Sequence, residues 1–261
     1  MTLTIEGLEF SYGQKKVLHQ VDLEIDDGDV VSILGPNGVG KTTLLKCICR
    51  THRPQMGEVS VDGTDIGTLS GRELAKQISY VPQRSVPSLT TVYDSILIGR
   101  KPHVDWALTR NDIDMVWSII KMFHMEEFAL KYTDEISGGE LQKVQIARAV
   151  VQDAKVMVLD EPTNNLDISN QHNIMYLLTK LVEKKGISVV MTMHDINIAL
   201  RYSTKFIFVK GGRVLLCGGI EAVTPEVIKS VFDIDVKIVD VDGVRAVVPC
   251  RQQESFRNIA V

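Results

Sequence analysis

The chain has 261 residues, 44% of them hydrophobic and 24% charged, with a formal net charge of −4. That is enough apolar material for one large α/β domain or two small ones, and the acidic and basic residues are mixed along the length, so nucleic acid is not expected as a partner. No apolar run nears the ~20 residues needed to span a bilayer, and the start, Met1-Thr2-Leu3-Thr4-Ile5-Glu6, lacks the basic-then-apolar pattern of a signal peptide.

A location in the cytosol is therefore expected, with docking on a membrane protein left open. Cys47, Cys49, Cys217 and Cys250 are too few and too scattered for a disulfide framework and read as reduced thiols. Cys47-Ile48-Cys49 with His52 resembles a metal clip, but residues two apart on a helix do not share a face, so a structural role is expected.

Short runs of alternating apolar and polar residues, Thr2–Phe10, Val17–Ile25 and Val30–Leu34, predict strands joined by turns at Gly13-Gln14-Lys15-Lys16 and Asp26-Asp27-Gly28-Asp29. Thr43–Cys49 predicts a helix, and Gly57–Val61 and Ile78–Val81 two further strands. From Gln83 to about Val151 the period becomes helical, over Thr91–Arg100 and over Thr109–His124, where Thr109 and Asp112 form a capping-box pattern. Strands return at Lys155–Leu159, Ile187–Met193 and Phe206–Val209, with an amphipathic helical stretch over Asn170–Lys184. Strands alternating with helices predict a mostly parallel sheet with crossover helices. Val236–Val241 and Val244–Val248 flank Asp242-Gly243 and predict a β-hairpin.

Gly35-Pro36-Asn37-Gly38-Val39-Gly40-Lys41-Thr42 fits the phosphate-loop pattern between a predicted strand and a predicted helix. The glycines let backbone N–H groups approach phosphate oxygens; Lys41 adds a charge toward the β- and γ-phosphates, and Thr42 a hydroxyl for Mg²⁺. Asp160 ends the apolar run Val156–Leu159, where an open α/β sheet presents ligands, and can hold Mg²⁺ through water. Glu161, expected to point to the other side of the strand end, can take a proton from an attacking water. His194 follows Ile187–Met193 and should emerge at the same edge. In Ile136-Ser137-Gly138-Gly139-Glu140, Ser137 can cap the next helix with Glu140 as its reciprocal partner, leaving the N–H groups of Gly138 and Gly139 to face an anion.

These motifs, in this order, resemble the ATP-binding-cassette (ABC) ATPases, in which the pentapeptide is the signature motif. The resemblance implies a P-loop NTPase core of α/β class with a mostly parallel sheet, an N-terminal antiparallel β subdomain and a helical insert. It implies a single cassette domain over 1–261: a strand-rich core with the phosphate loop in 1–83, the insert with the signature in 84–151, the remaining core in 152–235, and a hairpin and tail in 236–261.

Nucleotide contacts are then expected from Tyr12 stacking on adenine, from Gly35 to Thr42, from Thr43, and from Gln83, which senses Mg²⁺ and links core to insert. The loop Asn165-Leu166-Asp167 would cross a dimer interface. His194 would contact the γ-phosphate and work with Glu161. Ser137, Gly138, Gly139 and Glu140 would serve the ATP held by a second copy, so that two ATP molecules are sandwiched in a head-to-tail homodimer. Ile136 stands where the family usually has Leu; an apolar exchange there should change packing only.

Leu97–Trp106 resembles subunits that energise uptake of iron-siderophore, haem and cobalamin complexes. That implies two membrane permease subunits, an external substrate-binding protein and a place on the cytoplasmic face of the membrane. A soluble ABC ATPase of iron-sulfur cluster assembly is the alternative.

Overall fold

The computed structural model describes residues 2–84, 86–164 and 166–250. Asn165 and the tail from 251 onward lie outside the described residues.

Strands β1 (Thr2–Tyr12), β2 (Lys15–Asp26), β4 (Met56–Val61) and β5 (Thr64–Asp65) form an antiparallel sheet in the order β2-β1-β4-β5. The second sheet has the order β10-β9-β3-β8-β7-β6, from β3 (Val30–Leu34), β6 (Ile78–Val81), β7 (Val156–Asp160), β8 (Ser188–Thr192), β9 (Lys205–Lys210) and β10 (Arg213–Gly218). Its neighbours pair in parallel except for β10, antiparallel to β9. This is the mixed α/β architecture with a mostly parallel sheet and an antiparallel sheet that the motifs imply.

The parallel strands are buried on both faces, which explains their near-continuous apolar character. Alternate residues serve two cores. Val31, Ile33, Val156, Val158, Val190 and Ile207 pack with α1 (Lys41–Ile48) and the antiparallel sheet. Val30, Leu34, Met157, Leu159, Met191, Phe206 and Phe208 pack with the helices on the opposite face. Cys47 is buried in the first of these cores, and burial pushes its thiol up to about 12. Among the described residues no three or more His, Cys, Asp or Glu side chains are grouped as a metal cluster.

The insert comprises α3 (Val92–Leu97), α4 (Arg110–Met122) and α5 (Gly138–Val151). The helix expected over Thr91–Arg100 is shorter: α3 ends at Leu97, and Ile98–His103 continues as a 3-10 turn. Gly99 allows close packing here, where a Cβ would lie 2.4 Å from Arg148 O, and Pro102, which has no N–H, cannot extend an α-helical ladder. The helix α2 (Gly71–Gln77), capped reciprocally by Ser70 and Glu73, was not anticipated. Beyond β7 come α6 (Ile168–Lys185), α7 (Ile196–Tyr202) and α8 (Pro225–Phe232). The hairpin of β11 (Val236–Val241) and β12 (Val244–Pro249) turns on Asp242 and Gly243, both at positive φ as a type I′ turn requires. Asn197 of α7 anchors it, accepting from Val247 N at 2.7 Å and donating to Val247 O at 3.3 Å.

One buried ion pair fixes the insert. Arg100 Nε lies 2.8 Å from Asp112 Oδ1, with both side chains 7% exposed, and Arg100 Nη1 donates to Val151 O at 2.9 Å. Hydrogen bonds from Thr109 first, then Arg100, hold the Asp112 carboxyl at about 2, below its ordinary 3.8. A carboxylate depressed in the folded state stabilises the fold above its unfolded value, and that contribution disappears as pH falls from 3.8 toward 2. Arg100→Met should cost about 3 kcal/mol in denaturant melts by leaving a buried carboxylate without its cation. Asp112→Asn should flatten the acid limb of stability against pH; an unchanged limb would show that Asp112 does not set it.

Candidate functional site

The ends of β3, β7 and β8 come together at one sheet edge, because Ile33 and Asp160 both stand in register with Thr192. Ligands in open α/β sheets bind at this carboxyl edge. The loop after β3 passes under β9 so closely that a Cβ on Gly35 would lie 2.2 Å from Val209 O. Gly40, at φ 107, caps α1 without any side-chain hydrogen bond, which leaves the first N–H groups of that helix open to an anion.

Lys41 is 6% exposed, and its ammonium donates to Gly35 O at 2.6 Å and Pro36 O at 3.0 Å. Burial pulls its pKa down, and the carboxylates of Glu161 and Asp160 oppose that shift. Val39 packs against the core beneath the loop. A cleft of about 280 Å³ opens above, lined by Tyr12, Lys15, Val17, Asn37, Gly38, Gly40, Lys41, Thr42, Thr43 and Glu161. The Tyr12 ring stands at its mouth, 49% exposed.

The two carboxylates at the end of β7 diverge. Asp160 Oδ1 accepts from Thr42 Oγ1 at 3.1 Å and from Thr192 Oγ1 at 2.7 Å. A hydroxyl beside a carboxylate suits Mg²⁺, which takes one or two protein oxygens and completes its shell with water and phosphate.

Glu161 turns away through a left-handed backbone, φ 51, uncommon for a residue other than glycine. Its carboxylate accepts from Gln83 Nε2 at 2.5 Å, from Asn164 Nδ2 at 2.9 Å and from His194 Nε2. Gln83 thus meets Glu161, beside the Thr42–Asp160 pair. Thr192, Asn164, Lys15 and Val17 join the site without having been anticipated; each arrives through register or loop closure and carries no motif of its own.

Ser137 caps α5, accepting from Glu140 N at 3.3 Å, while Ser137 N donates to Glu140 Oε2 at 2.8 Å. The hydrogen bonds from Ser137 hold the Glu140 carboxyl below its usual range. Gly138 and Gly139 open the helix, and a Cβ on Gly139 would lie 3.3 Å from Leu166 Cδ2. Asp167 caps α6 by accepting from Asn170 N at 2.8 Å. The start of α5 and the 166–167 segment therefore adjoin each other, and no residue of 137–140 lines the cleft at Lys41. Ile136 is partly buried against the larger core, as an apolar substitute should be.

The model of the ABC transporter family matches residues 18–164. An ABC transporter ATP-binding protein of Methanocaldococcus jannaschii is 46% identical over 249 residues, covering 95% of this chain and 98% of its own. The iron(3+)-hydroxamate import ATP-binding protein of Bacillus subtilis is 35% identical, covering 91% of this chain and 90% of its own. Among solved structures, a post-hydrolysis dimer of an ATP-binding cassette with ADP and Pi superposes with a TM-score of 0.74 at 31% identity, covering 84% of this chain and 98% of that one. The phosphate loop, the paired carboxylates and these likenesses agree: the chain is an ATP-binding, ATP-hydrolysing cassette and belongs to the ABC transporter family.

Proposed function

We propose that this cassette powers an importer for an iron-siderophore, haem or cobalamin-type complex, as a homodimer bound to two permease subunits that receive cargo from an external binding protein. Mg²⁺ held by Thr42 and Asp160 would polarise the transferred phosphate, with Glu161 accepting the proton of the attacking water and His194 completing the contact to the γ-phosphate. ATP-driven closure and hydrolysis-driven opening would alternate the side to which the permeases open. The import protein from Bacillus subtilis supports the iron-complex class. No helix among the described residues is long and apolar enough to cross a membrane, so the transport path would belong to partner chains, with the cassette peripheral on the cytoplasmic face.

The observation that carries this reading is a groove of about 620 Å³ between α2, the 98–104 segment and the end of α5. Ala75, Ile98, Pro102 and Val104 supply apolar lining, and no carboxylate is among its lining residues. Arg148 and Lys101 also line it. Arg148 is pulled below its usual pKa by burial alone, with no ion pair to a described residue. A permease helix bringing an apolar turn and a carboxylate would suit such a surface.

Co-expression with a permease pair of the iron-complex import class should carry the chain into the membrane fraction, and Arg148→Glu should reduce that recovery at least about ten-fold by setting like charges together. A wild-type chain that stays in the supernatant with the permeases present would overturn the importer reading in favour of a soluble assembly ATPase.

A further inference from the structure

We propose that His52 is a positioning residue that holds Tyr12 as a preset wall for the nucleotide base, through the hydrogen bond between the Tyr12 hydroxyl and His52 Nε2. The inference rests on the reading in which Tyr12 meets the base. His52 belongs to none of the nucleotide motifs and lies beyond α1, yet the fold brings its ring to the end of β1.

The geometry defines the hydrogen-bond direction. His52 Nδ1 lies 3.1 Å from Thr51 O. A carbonyl only accepts, so Nδ1 carries the proton and, in the neutral ring, Nε2 is an acceptor. The Tyr12 hydroxyl, 2.9 Å from Nε2, is then the donor. The same hydroxyl oxygen lies 3.5 Å from Thr43 Oγ1 on α1 and can accept from it. A chain of hydrogen bonds thus runs from the phosphate-loop helix through Tyr12 and His52 to the backbone.

The imidazole is itself held. Its ring lies parallel to that of buried Phe10, 4° between planes and 5.1 Å between centroids. Tyr12 stands edge-on to both, at 83° to Phe10 and 87° to His52. The segment carrying His52 is tied at both ends: His52 N donates to Lys46 O at 3.0 Å, and Gln55 N donates to Glu9 O at 3.0 Å. Gln55 also brackets Ser11, accepting from its N–H at 2.8 Å and donating to its carbonyl at 3.1 Å.

A half-exposed tyrosine at a strand end samples several rotamers, and a base that stacks on it must stop that motion. With the ring edge fixed by Phe10 and the hydroxyl fixed by His52, the ordering is already present before ATP arrives. His52 thereby acts on affinity through Tyr12 without touching the phosphates or the paired carboxylates.

The test uses the full chain with ATP and with inorganic tripolyphosphate, which has no base. His52→Phe retains a ring over Phe10 and removes the acceptor; Tyr12→Phe removes only the donor. Each should raise the ATP dissociation constant and KM about three- to ten-fold with kcat unchanged, which is the cost of ordering one side chain. The double variant should be no worse than either single one, and tripolyphosphate should bind all of them equally. Additive losses, an unchanged ATP affinity for His52→Phe, or an equal loss for tripolyphosphate would overturn the positioning role. Tyr12→Ala separates this from the underlying reading: if it leaves ATP affinity unchanged, Tyr12 does not meet the base and both ideas fall. If it weakens ATP while His52→Phe does not, only the role of His52 falls.

Discussion

Glu161→Gln is expected to lower kcat by roughly 10²- to 10⁴-fold, the range for loss of a positioned general base, while ATP still binds. The side chain of Glu161 is 9% exposed and accepts from Gln83, Asn164 and His194. Glutamine has nearly the same shape and keeps an acceptor oxygen, so the surrounding hydrogen bonds can largely re-form. It cannot take a proton from water. Phosphate contacts through the loop, Lys41 and the open end of α1 do not involve Glu161, so the ATP dissociation constant should change little. If the proposed head-to-tail dimer closes on ATP, blocking hydrolysis should trap it, and the variant should elute as a dimer only when ATP and Mg²⁺ are present. Turnover at the wild-type rate would remove Glu161 from the proton-accepting role.

The parts of the fold legible in the sequence are those with local causes. Val30–Leu34 and Ile78–Val81 are read to the residue, the first because an apolar run follows the Asp26–Asp29 turn, the second because β-branched and aromatic residues end at Pro82. The capping boxes at Thr109–Asp112 and Ser137–Glu140 likewise carry their geometry in four consecutive residues. α2 had the same signal in Ser70–Glu73, yet its helix buries no residue, so no apolar stripe drew attention to it.

The candidate site is legible only as separate pieces. Asp160 and Glu161 are evident as the end of a strand, but the left-handed turn that parts them depends on the loop packed beyond β7. Thr192 meets Asp160 because β7 and β8 pair in register, and Gln83 reaches Glu161 across two strand ends. In sequence the near neighbours of His52 are Cys47 and Cys49, whereas its ring partners are Phe10 and Tyr12. Such contacts come from topology, and no local pattern encodes them.

Ser137→Arg is expected to separate ATP binding from ATP hydrolysis. The cleft at Lys41 is lined by residues of the N-terminal strands, the phosphate loop, α1 and Glu161, and by none of the signature. An anion site at the start of α5 lies apart from this cleft, which suits the proposed head-to-tail dimer, in which it would meet a phosphate held by the other copy. Loss of the Ser137 cap should cost about 1 kcal/mol, too little to unfold the chain. The arginine side chain would instead fill the space at Gly138 and Gly139 where a partner's γ-phosphate should sit.

Binding of ATP, measured by calorimetric titration, should remain within about two-fold of wild type, since no phosphate-loop contact is lost. Hydrolysis should fall at least about 10²-fold, comparable to removal of a preorganised donor at a reacting phosphate. Combining Ser137→Arg with Glu161→Gln gives the decisive comparison. If the signature acts across a dimer, the combined variant binds ATP and stays monomeric, whereas Glu161→Gln alone dimerises. If the signature acts within its own chain, the combined variant dimerises as Glu161→Gln does, or loses ATP binding together with hydrolysis, and the shared site is excluded.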